Sequence, residues 1–276
     1  MLIGPLSLVD ALFLLAPVVV VPLGLRLVPL TGTRAKQLLL VARVAQPLGA
    51  LAAIASFLVP RGVPAGVLAA AWLAVCGVSG LAGLAELVES RSLAPAHLLP
   101  AAALGFLTAG GAWFVATRGG INLGFSPPIV ELTAVHFHYA GFAATLMGAL
   151  AHDVLRSRTS AAAGLLVILG TPLTATGIAT GVVALTVIGP ILLSTGLLTN
   201  AALTAFLVAP RQGGATRWLL IVSSVAVVVP MLLGVDYAAA RVFPLPSLDI
   251  RAMAIVHGDL NAVAYALLGL AGWSLR

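Results

Sequence analysis

Apolar residues run through this chain in stretches of about 20, each long enough to cross the ~30 Å hydrocarbon core as a helix. Short polar or glycine- and proline-bearing breaks separate the stretches. The runs are too long for the strands of a membrane barrel, which alternate over about ten residues. The pattern predicts an all-α, polytopic integral membrane bundle of nine transmembrane helices with no strand. One transmembrane domain is expected over residues 1–276. The predicted spans are 6–28, 37–59, 65–88, 96–117, 129–152, 161–184, 187–209, 217–236 and 251–273. No charge marks the turn between the sixth and seventh, and a tight hairpin is expected near Gly189 and Pro190.

Composition agrees with burial in lipid. The chain is 61% hydrophobic and 8% charged, far too little charge to cover the surface of a soluble domain. The expected surroundings are a lipid bilayer. The formal charge of +6 does not imply nucleic acid, because no basic face is long enough to follow phosphates. The basic residues sit in the breaks and read as topology instead. Alternate breaks and the C-terminus hold Arg26, Arg34, Lys36, Arg91, Arg156, Arg158, Arg211, Arg217 and Arg276. The opposite side holds Arg61, Arg118, Arg241 and Arg251. The richer side is expected in the cytoplasm, which puts the N-terminus outside. The first segment carries Asp10 and no basic residue before its apolar core, so it reads as an uncleaved span. The single cysteine, Cys76, excludes an intramolecular disulfide and a cysteine cluster.

Ionisable groups at membrane depth mark candidate sites. The fifth span carries Glu131, His136, His138 and Tyr139, and the ninth carries His257, Asp259 and Asn261. Residues two apart on a helix point about 200° apart, so His136 and His138 cannot grip one ion from an unbroken helix. Glu131 and His138 share a face. The expected catalytic set is Glu131, His136, His138, His257 and Asp259, with Tyr139, Asn261 and Arg43 binding substrate. His136, His138 and His257 are the candidate ligands for a divalent metal such as zinc. Arg43 is expected to snorkel or to meet a buried acid. Glu86 and Glu89 read as solvated helix-end groups, and His97 and His152 as interfacial. Gln46, Thr171, Thr174 and Asn200 read as structural hydrogen-bonding residues. Pro17, Pro47, Pro172 and Pro230 read as kinks.

The stretch Leu132-Thr133-Ala134-Val135-His136-Phe137-His138-Tyr139-Ala140-Gly141-Phe142 resembles a signature of YndJ-like bacterial membrane proteins. The stretch His257-Gly258-Asp259-Leu260-Asn261-Ala262 resembles that family's second signature, and Val21-Pro22-Leu23-Gly24-Leu25 is a weaker match. The resemblance implies a multi-pass protein of the bacterial inner membrane, of a kind often called a transporter. A shorter stretch, Val135-His136-Phe137-His138-Tyr139, is similar to a heme-binding segment of heme–copper oxidases. The rest of the chain lacks the adjacent histidine pair that copper would need in those proteins.

These readings lead to an expected integral membrane enzyme acting on a small apolar or amphipathic molecule by isomerisation, rearrangement, cyclisation or hydrolysis, with or without metal. A multi-pass, proton-coupled transporter and a heme-binding membrane protein are the alternatives. No nucleophile elbow, P-loop or dinucleotide fingerprint is present.

Overall fold

The computed structural model describes residues 2–3 and 6–276. Among these, a pair of two-residue strands, β1 (Leu2–Ile3) and β2 (Leu6–Ser7), lies antiparallel before the first helix. This is the only departure from the strand-free expectation. Among the described residues eight helices are long and apolar enough to cross a membrane. They are α1 (Val9–Leu27), α2 (Thr33–Phe57), α3 (Val63–Ser90), α4 (Pro95–Gly119), α6 (Arg158–Thr180), α7 (Val183–Arg211), α8 (Gly214–Ala239) and α9 (Ile250–Ser274). The ninth long helix, α5, runs unbroken over residues 127–155. It is long enough to span but carries Glu131, three histidines and Asp153, which lower its apolarity.

The transmembrane domain contains two compact units, Met1–Ala143 and Ala144–Arg276. In the first, α2, α3 and α4 pack as consecutive hairpins, with α1 and the first half of α5 alongside. In the second, α6 and α7 form the most extensive pair, and α8 packs on α9. The α6–α7 turn falls at Gly181, whose φ of 67° suits glycine. This corrects the expected hairpin at Gly189. Gly189 instead lies inside α7, where its missing side chain lets the backbone of α6 at Thr174 approach directly.

Proline shapes α1. Its middle, Ala16–Val20, is a π-helical turn, and Val21 N–H bonds Ala16 O, five residues back. Pro17 and Pro22 have no N–H to give. In this register their missing donors orphan the carbonyls of Leu12 and Pro17. Both carbonyls are recovered from other helices: Tyr139 Oη donates to Leu12 O at 2.7 Å and Gln46 Nε2 to Pro17 O at 2.6 Å. Arg43 completes the pattern by donating through Nε (2.8 Å) and Nη2 (2.6 Å) to Leu25 O, in the last turn of α1. Tyr139 and Arg43, expected as substrate ligands, thus both donate to the backbone of α1. Gln46 is structural, as its type suggested.

Glu86 is buried and corrects the expected solvated helix end, whereas Glu89 is exposed as expected. Helix α2 begins after Gly32, which has no side chain to cap it. Two carboxylates from the end of α3 take that place. Glu86, fully buried, accepts from Thr31 N–H (2.9 Å), Thr31 Oγ1 (2.6 Å) and Gly32 N–H (2.9 Å), and pairs with His97 Nδ1 at 2.8 Å. Glu89 accepts from Arg34 N–H and Ala35 N–H, both at 3.1 Å. Acids at a helix N-terminus also meet the positive end of its dipole. His152 is buried too, with Nδ1 2.9 Å from Ser160 Oγ in the capping box that opens α6.

In the second unit, Thr216 Oγ1 donates to Leu275 O at 3.3 Å, so the start of α8 and the end of α9 lie at one membrane face. Reporter fusions at Thr216 and at Arg276 are both expected to read cytoplasmic. A periplasmic signal from either one would overturn the orientation derived from the basic residues.

Candidate functional site

The fifth helix separates His136 and His138 as helix geometry requires. A π-helical segment, Phe137–Ala144, begins between them. His136 is exposed, with Nδ1 2.7 Å from Leu132 O. His138 is fully buried. Its Nε2 lies 3.0 Å from Trp72 Nε1, and its Nδ1 lies 2.8 Å from Ala134 O. An indole nitrogen can only donate, so Nε2 of His138 must accept. Nδ1 then carries the proton and gives it to Ala134 O. Both ring nitrogens are spent, and the neutral tautomer follows from the network. Phe13 meets the imidazole edge-on at 6.0 Å. A side chain on Gly110 would stand 2.8 Å from Nδ1. His138 is an interhelical strut with no lone pair for a metal, a heme or a substrate proton.

His257 lies in the second unit, in the π-helical turn Ala254–Gly258 of α9. Its Nδ1 donates to Pro230 O at 2.8 Å, and Gly234 lies against the ring. Asp259 and Asn261, on the same helix, are half-buried. Among the described residues no three His, Cys, Asp or Glu side chains are grouped as metal ligands. Of the expected zinc ligands, His136 and His138 belong to the first unit and His257 to the second, and both ring nitrogens of His138 are engaged by Trp72 and Ala134.

Glu131 is the candidate whose surroundings do suggest chemistry. It sits two turns before His138, at the end of the first unit where α2 and α4 finish and α3 and α5 begin. Arg61, in the α2–α3 turn, donates from Nη2 to Glu131 Oε2 at 2.7 Å. Asp10 is in the first turn of α1, and that part of α1 packs against the start of α5, which carries Glu131. The buried Glu131 Oε1 makes no hydrogen bond of its own. Arg118 completes a group of two acids and two bases. Its guanidinium lies 4.3 Å from the centre of the Phe57 ring. It donates to Ser56 O (Nη2, 2.6 Å; Nε, 3.2 Å) and to Val59 O (Nη2, 2.9 Å), capping the end of α2. Beside this group is a cavity of about 150 Å³, lined by Arg61, Thr117, Gly120, Asn122, Pro127 and Val130. Below it, Phe13, Phe57 and Phe114 pack edge to face.

Sequence reasoning missed Arg61, Arg118, Thr117, Asn122 and Trp72. The two arginines were counted only as charges in the breaks. A signal existed for Arg118: it ends an apolar run just before Gly119-Gly120, where a long cation can reach the last carbonyls of a neighbouring helix. Trp72 carried no signal, since an indole in an apolar run looks like any large core residue.

The family model described as YndJ-like protein matches residues 11–265. This chain belongs to the YndJ-like family. Arg61, Arg118, Glu131 and all five histidines fall inside the matched stretch, while Asp10 lies one residue before it. The chain is also similar to the uncharacterized membrane protein YndJ of Bacillus subtilis (strain 168), 29% identical over 175 residues. That similarity covers 62% of this chain and 31% of the relative, so the chain spans about a third of the length of the curated relative it matches. No solved structure matches. Membership and the eight apolar helices agree on a multi-pass protein of a bacterial membrane.

Proposed function

We propose that this YndJ-like chain is an integral membrane enzyme that carries out metal-free acid–base chemistry on a small amphipathic molecule, of the isomerisation or rearrangement kind. The observation that carries the reading is the buried Glu131 carboxylate, held through Oε2 by Arg61, with Oε1 making no hydrogen bond, beside a cavity at one end of the first unit. Asp10, on the part of α1 that packs against this stretch, supplies a second carboxyl. A carboxyl pair holds one proton between two residues, so one member takes a proton while the other returns one. In an isomerisation, one carboxyl removes a proton from one substrate atom, the other delivers a proton to another, and the proton taken up then passes between the two. The composition of the substrate and the protonation of the pair are both restored. Arg61 fixes the orientation of Glu131 and balances its charge. His138 supports the floor of this region and takes no proton.

The packing beneath the pair favours an enzyme over a carrier. A transport path through the first unit would need polar groups continuing below Glu131. The space there is filled by Phe13, Phe114, Trp72 and a fully bonded imidazole.

The test uses the whole chain reconstituted in vesicles with a bacterial lipid and small-molecule extract. The expected result is a component whose chromatographic retention changes at constant mass with the wild-type protein. The change should be lost with Glu131→Gln or Asp10→Asn. Identical profiles from wild-type and Glu131→Gln proteins of equal stability would reject the reading.

A further inference from the structure

We propose that the cavity beside Glu131 binds the oxyanion head of an amphipathic molecule, a carboxylate or phosphate group, through Arg61, Asn122 and Thr117. This deepens the acid–base reading by naming the substrate class, and it rests on that reading for the ligand's fate.

Three observations carry it. First, Arg61 is the only charged side chain among the six that line the cavity, and one of its N–H groups already orients Glu131. The rest of the guanidinium fork can meet an anion, which is the geometry it suits best. Second, Thr117 is 5% exposed, and its buried Oγ1 has no hydrogen-bond partner. Nearby threonines do not share this state: Thr108 and Thr133 return their hydroxyls to backbone carbonyls at 2.7 Å. A buried hydroxyl without a partner is costly, and one lining a cavity is satisfied by what the cavity holds. Third, the volume is that of a head group. A cavity of about 150 Å³ accepts a molecule the size of benzene, which is enough for a carboxylate or phosphate with its first carbons and too little for a lipid. The same loop presents the apolar side chains of Ile121 and Leu123, 50% and 58% exposed, as a surface for the tail at the membrane interface.

The head group would then lie next to the proton-handling pair. Reaction at a carbon close to an anionic head follows from that placement, with Arg61 bridging substrate and Glu131.

The experiment measures binding by calorimetry to the full chain in phosphatidylcholine nanodiscs. The probes are decanoate, decyl phosphate, decanol and inorganic phosphate. Decanoate and decyl phosphate should bind, with decanol weaker by on the order of ten-fold, the worth of one charge-assisted hydrogen bond. Thr117→Val and Asn122→Leu should each weaken the two anions several-fold and leave decanol unchanged. Inorganic phosphate binding as tightly as decyl phosphate would support the oxyanion site with a free anion as its source. Weak inorganic phosphate would support a membrane amphiphile. Equal binding of decanol and decanoate, or wild-type anion affinity in both the Thr117 and Asn122 variants, would overturn the proposal. Glu131→Gln separates the two claims. If it keeps both anion binding and turnover, the acid–base reading falls and the anion site stands. If it keeps binding and loses turnover, both stand.

Discussion

Alanine at His138 should destabilise the protein by about 3 kcal/mol, combining the cavity left behind with the stranded Trp72 N–H. The loss should appear as a lower unfolding temperature in detergent, with activity lost only in proportion to folded protein. The reason lies in two distances: 3.0 Å to Trp72 Nε1 and 2.8 Å to Ala134 O, around a fully buried ring. Trp72→Phe strands the acceptor instead of the donor. The double variant Trp72→Phe, His138→Leu removes both partners at once. It should therefore cost less than the sum of the single variants, by about 1 kcal/mol, the range measured for interhelical hydrogen bonds in membranes. A His138→Ala protein that melts like wild type but has no activity would show instead that the imidazole does chemistry.

The second large effect is expected at the other end of the first unit. Glu86→Ala removes the acceptor for Thr31 N–H, Thr31 Oγ1, Gly32 N–H and His97 together. Breaking a buried charged network of this kind costs on the order of 3 kcal/mol or more. The turn at residues 28–32 should loosen, and limited proteolysis should cut there first. Glu86→Gln keeps one carbonyl acceptor and should fall between wild type and alanine. Glu89→Gln touches only the exposed side of the cap and should cost about 1 kcal/mol or less. If Glu86→Ala melts within 1 °C or so of wild type, the carboxylate is not holding α2 and a solvated helix end is the better description.

Much of this could be read along the chain, because the bilayer makes the reading local. A helix in lipid must satisfy its own backbone, so length and apolarity suffice to mark a span. That is why the predicted spans fall close to the observed helices. Helix geometry is equally local, and it put His136 and His138 on different faces before any neighbour was known. The same arithmetic could not locate the α6–α7 turn. Gly181 and Gly189 are both plausible turn residues, and only packing against Thr174 assigns Gly189 to a helix interior.

What the chain alone could not determine is which polar groups are already spent. His138, Tyr139 and Arg43 looked available, as rare polar groups in apolar runs, and Glu86 looked solvated. Their partners are Trp72, Leu12 O, Leu25 O, and the turn at Thr31 and Gly32, lying between 18 and 127 residues away in sequence. Three of those partners are backbone groups, which every residue carries, so no residue type announces them. The reverse holds for Asp10, Glu131, Arg61 and Thr117, which are scattered over four segments and gathered by the helix hairpins at one end of the first unit. Hydropathy decided that the chain lies in the membrane and where it crosses. Hydrogen-bond satisfaction, which exists only once the helices are side by side, decided which polar residues hold the fold.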